Sequence, residues 1–131
     1  MFVDASAVVG ILGLEADAAE LRAKLEKASV VWVSAFVHYE AVLGLARSNS
    51  LPLQRSRQAL DDFVAETAAR FVPLDEEIGR RSIEAYCRYG KSRHRARLNV
   101  GDCFAYACAK SLAVPLLCKG DDFVHTDIEI A

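Results

Sequence analysis

Five carboxylates stand where carboxylates are costly. Asp4 follows Phe2-Val3 and precedes the small and apolar run Ala5-Ser6-Ala7-Val8-Val9. Glu40 interrupts the apolar stretch from Phe36 to Ala46, with residues 36, 37, 43 and 44 at its helical flanks. Asp102 lies in Asn99-Val100-Gly101-Asp102-Cys103-Phe104, and Asp121 and Asp122 follow the apolar run 114–118. Burying an unpaired charge is unfavourable, so an acid in such surroundings needs a partner or a task. Each has an ordinary explanation. Asp4 can cap a helix, Glu40 can pair with a buried arginine, Asp102 can form a capping box with Asn99, and Asp121 or Asp122 can simply make a turn. As a set they suggest more. Carboxylates that converge repel one another unless a cation sits among them. Oxygen donors without His or Cys favour Mg²⁺, with Mn²⁺ as the second choice. The chemistry that fits is phosphodiester hydrolysis, in which a metal-activated water attacks and the metal offsets charge on the phosphoryl group.

A basic run supplies a matching half. Lys91, Arg93, His94, Arg95 and Arg97 lie just ahead of Asp102 and are expected to contact phosphate. Gly101 would allow a close approach beside Asp102. His38 reads as structural, and His125 lies near the acid turn. Glu15, Asp17, Asp61, Asp62, Glu76 and Glu77 read as solvated.

The acids need strands and helix starts to gather them. Phe2-Val3, Val30–Val33, Arg70–Leu74 and Val114–Cys118 read as strands, and Asp127–Ile130 as a short last one. Helices are expected from Ser6, as cap, to Leu12, over 15–27 and from Ser34 to about Ser48. Three more are expected from about residue 53 to 69, from Asp75 to about Arg88, and from Asn99 or Gly101 through the apolar stretch to 109. On the Asp75 helix, Ile78, Ile83 and Tyr86 are expected to face inward. Strands alternating with helices predict an α/β fold of three layers. A mostly parallel, twisted sheet of four to five strands carries helices on both faces, with strand carboxyl ends along one edge. That edge is where Asp4 and the 121–122 turn fall.

Bulk composition narrows the classes. The 131 residues are 53% hydrophobic, enough for one domain, 1–131, with its own core. Net charge is −2, so nucleic-acid binding must come from a local patch. No 18-residue stretch lacks polar groups, and the N-terminus has no basic n-region. Neither a membrane span nor a signal peptide is expected. Cys87, Cys103, Cys108 and Cys118 form no C-x-x-C and read as reduced, mostly buried thiols in a cytoplasmic protein.

The motifs M-F-V-D-A-S-A at 1–7, H-Y-E-A at 38–41, Y-G-K-S-R-H at 89–94, L-N-V-G-D-C-F-A-Y-A at 98–107 and K-G-D-D-F-V-H-T-D-I at 119–128 span nearly the whole chain. In that order they resemble the PIN-domain ribonuclease toxins of the VapC type. The resemblance implies a Mg²⁺-dependent endoribonuclease from a type II toxin–antitoxin pair. It also implies a cognate antitoxin that blocks the site, and a homodimer. It places the family's acids on Asp4, Glu40 and Asp102, with Asp4 and Asp102 as metal ligands. For the fourth acid it favours Asp122, with Asp121 as the alternative. Two other classes stand beside this reading. A phosphoacceptor receiver-like signalling domain would need a strand-end lysine, for which Lys119 is the one candidate. A non-catalytic RNA- or protein-binding regulator of the same fold would have no need of all four acids.

Overall fold

Asp4 rather than Ser6 caps the first helix, and the chain's topology follows from that corner. In the computed structural model, which describes residues 1–131, strand β1 is Phe2–Val3 and helix α1 is Ala5–Leu12. The Asp4 side chain accepts the backbone N–H of Ser6 at 2.9 Å. Ser6 sits inside the first turn, so the carboxylate two residues earlier is the better placed acceptor. Helix α2, Ala18–Leu25, buries Ala18, Leu21 and Leu25 as their spacing requires. Strand β2 is Trp32–Ser34, and Ser34 Oγ caps α3, Ala35–Ser48, by accepting from Val37 N at 3.1 Å. Helix α4 is Leu53–Glu66, and strand β3 is Arg70–Val72. Asp75 caps α5, Glu76–Tyr89, as expected.

The buried stripe of α5 differs from expectation. It runs through Ile78, Ser82, Ala85 and Tyr89, whereas Ile83 and Tyr86 face solvent. The spacing 78, 82, 85, 89 is a complete helical stripe, whose small members Ser82 and Ala85 lie where α5 packs on α6, and this turns the bulkier Ile83 and Tyr86 outward. Helix α6, Val100–Leu112, is buried nearly all round and packs extensively on α5. Strand β4, Leu116–Leu117, is followed by a 3₁₀ turn at Phe123–His125. The expected last strand at 127–130 reduces to one bridge between Leu116 and Ile130. No helix is long and apolar enough to cross a membrane.

The four strands are parallel in the order β3-β2-β1-β4. The chain steps outward from β1 to β2 to β3, then returns to the far side of β1 for β4. Right-handed crossovers therefore lay the first helices and the later ones on opposite faces, giving the expected three layers. Phe2, Val3, Leu116 and Leu117 are essentially inaccessible and form the middle of the core. The direction of travel reverses between β1 and β4. Crevices at such a switch point, beyond the strand carboxyl ends, are where open α/β sheets place ligands.

Candidate active site

Three helix starts and one strand end build the cleft at that switch point. Asp4, at the end of β1, is 4% exposed, the deepest of the acids. Its Oδ2 accepts from both the backbone N–H and the hydroxyl of Ser6. Ser6 Oγ in turn accepts from Lys119 N at 3.0 Å, which ties the end of β1 to the chain leaving β4. Asp102 sits in the first turn of α6. Its Oδ2 accepts from Asn99 N at 2.7 Å, and Asn99 Oδ1 accepts from Asp102 N at 3.1 Å. The capping box therefore exists, and it fixes the carboxylate at the cleft instead of competing with a role there.

Glu40 reaches the same cleft from the second turn of α3. A methyl group at Gly101 would lie 2.6 Å from Glu40 Cδ. Gly101 is thus the gap through which the α3 carboxylate passes beside α6. Together Asp4, Glu40, Asp102, Ser6, Asn99 and Gly44 line a cleft of about 340 Å³.

The electrostatics show that the acids feel one another. Burial pushes the Glu40 carboxyl up to about 7, helped by the charges of Asp4 and Asp102. Burial likewise pushes Asp102 up to about 6, with Asp4 and Asp122 adding repulsion against the Asn99 hydrogen bond. Asp4 is raised too, by burial first, with Asp122 contributing. Asp122 is therefore the member of the 121–122 pair whose field reaches the cluster, though both side chains are exposed. None of these four acids forms an ion pair.

The donor set suits a hard cation. It consists of carboxylates with no His or Cys, packed closely enough to oppose one another's ionisation. No three such groups close into a ready-made cage. Mg²⁺ commonly keeps several waters and takes only one or two carboxylates, so an open pair such as Asp4 and Asp102 fits it.

Other residues fall differently. Lys91, Ser92, Arg93, His94, Arg95 and Arg97 line a separate concavity of about 470 Å³. Its ends are closed by Lys91 N to Leu98 O and Leu98 N to Tyr89 O, while Ala96 and Leu98 are fully buried. The alternation of basic and apolar residues anchors this loop and turns its charges outward, next to the acid cleft rather than inside it. Arg47, Glu15 and Lys119 do line the acid cleft. Glu15 and Asp17 are not simply solvated, since both pair with Lys119 Nζ. Arg47 lies three residues beyond Gly44 and seven beyond Glu40, and that helical spacing was the only signal for it. His38 pairs with Asp61 at 3.1 Å, and His125 does not line the cleft. Cys103 and Cys108 are buried, but Cys87 is exposed.

A family model described as the PIN domain matches residues 1–129. The chain belongs to the PIN-domain family, in its VapC branch. It is 38% identical to a VapC ribonuclease of Rhizobium meliloti over 97% of this chain and 98% of the relative. It is also 38% identical to ribonuclease VapC30 of Mycobacterium tuberculosis over 98% of this chain and 95% of the relative. Among solved structures, it shares its fold with VapC20 of Mycobacterium tuberculosis, a sarcin–ricin-loop-cleaving toxin. That match has a TM-score of 0.79 at 17% identity, covering 99% and 97% of the two chains. A toxin–antitoxin complex from Klebsiella pneumoniae matches with a TM-score of 0.70 at 19% identity, covering 99% and 95%.

Proposed function

We propose that this PIN domain is a Mg²⁺-dependent endoribonuclease, the toxin of a type II toxin–antitoxin pair. The observation that carries the reading is the cluster of Asp4, Glu40 and Asp102, unpaired and mutually repulsive in one cleft. Full-length VapC ribonuclease relatives support the activity class.

A bound divalent cation supplies Lewis-acid activation of water and neutralises charge on the phosphoryl group. Asp4 and Asp102 are the residues to hold it, and their helix-capping hydrogen bonds keep both carboxylates aimed at the cleft. Glu40, with a proton affinity near neutrality, is suited to take a proton from the attacking water. Asp122, exposed and outside the lining of the cleft, completes the negative field from a distance and would orient water there. Mn²⁺ satisfies the same oxygen donors. The 91–97 loop offers phosphate contacts outside the cleft.

The partners follow from the same reading. RNA is the substrate and a cognate antitoxin the inhibitor, acting in the cytoplasm. An apolar groove lined by Tyr39, Val42, Leu43 and Leu53, between α3 and α4, is suited to an antitoxin helix. The exposed Ile83 and Tyr86 on α5 support a homodimer. The phosphoacceptor alternative is not favoured, because Lys119 Nζ is engaged by Glu15 and Asp17 rather than turned to Asp4.

Incubating cellular RNA with the purified protein tests the proposal. Cleavage with Mg²⁺ that stops on chelation, and is absent in Asp4→Asn of unchanged helical content, is the expected result. Undiminished Mg²⁺-dependent cleavage by Asp4→Asn would remove Asp4 from the mechanism.

A further inference from the structure

The acid cleft contains two cations, and only one is already committed. Lys119 is held by Glu15 and Asp17. Arg47 lines the same cleft but enters no ion pair and no side-chain hydrogen bond, although it sits amid carboxylates. An uncommitted guanidinium at the mouth of an acidic cleft calls for a ligand.

Its position on α3 is specific. Glu40, Gly44 and Arg47 are spaced by four and then three residues, which puts them on one face over two turns. Between the two charged residues Gly44 presents no side chain, and a methyl there would lie 2.9 Å from Val9 Cγ2. The helix face is therefore a trough, floored by Val9 and Gly44, that runs from the acid cluster to Arg47. Seven residues of helix span about 10 Å. Arg47 thus leaves the helix further along the strand's path than Glu40, near enough for its charge to favour the ionised Glu40 carboxylate, and is placed for a neighbouring phosphate. A polyanion entering a cleft of four carboxylates also needs a cation along its path.

The geometry points to Arg47 as the residue that grips an RNA phosphate adjacent to the one being cut, through a bidentate guanidinium–phosphate contact. The inference rests on the ribonuclease reading. It assigns the contact inside the cleft to α3, and leaves the 91–97 loop an outer role.

The test compares wild type, Arg47→Ala, Arg47→Lys and, from the outer loop, Arg95→Ala. The probe is a labelled single-stranded RNA of mixed sequence. Cleavage is followed with Mg²⁺, and binding is followed across a salt series in chains that also carry Asp102→Asn. Arg47→Ala should lower kcat/KM about 10- to 100-fold, the scale of one charge-assisted hydrogen-bonded contact. Arg47→Lys should recover part of that loss, since it restores the charge without the fork. The slope of log affinity against log salt should shrink by about 0.7 for the single phosphate lost. Arg47 is exposed, so Arg47→Ala should stay folded, with at most a small drop in melting temperature at neutral pH from the loss of its charge near Glu40. An unchanged salt slope overturns the contact, whether cleavage stays normal or falls through an effect on Glu40. A wild-type protein that cleaves no RNA overturns the ribonuclease reading instead, and the salt slope alone then decides for or against Arg47.

Discussion

Replacing Glu40 with Gln should make the protein more stable and inactive at once. Glu40 accepts no hydrogen bond from the protein, and Gln has the same shape, so the exchange removes charge and little else. In the fold its carboxyl is pushed up to about 7 from an ordinary 4.5, by burial first and then by Asp4 and Asp102. A carboxyl with a raised folded pKa binds its proton more tightly folded than unfolded. It therefore costs no stability below the unfolded value. The cost grows as pH rises from 4.5 and levels off above about 7. At roughly 1.4 kcal/mol per pH unit, that interval corresponds to about 3 kcal/mol. Water at the open cleft screens the charge and reduces this to roughly 1–2 kcal/mol. In chelator at about pH 7.5, Glu40→Gln should then melt on the order of 5 °C above wild type. At about pH 5 the wild-type carboxyl is protonated in the fold, and the gap should shrink to roughly 2 °C or less. Mg²⁺ should narrow the gap at pH 7.5 by stabilising wild type more, as a ligand of the folded state does. Thermal melting by circular dichroism measures all three. A variant no more stable than wild type at pH 7.5, or an equal gap at both pH values, would refute the claim that burial and the neighbouring acids together raise the Glu40 carboxyl.

Three further outcomes follow from the same contacts. Gly101→Ala should destabilise by about 1–3 kcal/mol and depress cleavage, because the new methyl meets the Glu40 carboxylate. Gly79→Ala on α5 has open space around it and should instead stabilise by roughly 0.5–1 kcal/mol, so paired melting curves separate the two cases. Asp127 is held down to about 2, chiefly by the Tyr106 hydroxyl and also by Lys110 and Tyr89. Its depressed value stabilises the fold above its unfolded pKa, and the benefit disappears as pH falls through about 2. Asp127→Asn should therefore lower the melting temperature at neutral pH, with the difference from wild type closing in strong acid.

Much of this site was legible because polar residues in apolar surroundings are conspicuous. Asp4, Glu40 and Asp102 each broke a local pattern, and all three line one cleft. Ser34, Asp75 and Asn99 announced their helices by cap chemistry, which is local and so can be read without knowing the fold. What failed was whatever depends on rotation or on distant partners. The buried stripe of α5 uses Ser82 and Ala85, small residues that fit where α6 packs close, and nothing local distinguishes them from Ile83 and Tyr86. Glu15 and Asp17 looked solvated because their partner, Lys119, is more than a hundred residues away. The 91–97 run displayed its charge, but only the Gly90–Leu98 bridge shows that it forms its own concavity. Arg47 was hidden among ordinary surface arginines, because its meaning depends on which face of α3 meets the cleft.

The nature of the nucleophile tests the central claim most directly. On the proposed reading, Asp4 and Asp102 would hold a divalent cation whose chemistry is to activate water for attack on phosphorus, leaving the ribose 2′-hydroxyl a bystander. RNA cut in the presence of Mg²⁺ and ¹⁸O-labelled water should carry one labelled oxygen on the new terminal phosphate and no 2′,3′-cyclic phosphate. The reaction should stop on chelation and in Asp102→Asn. Cyclic phosphate ends without label, or cleavage that persists in chelator, would show that the 2′-hydroxyl does the chemistry and that the acid cluster has another purpose.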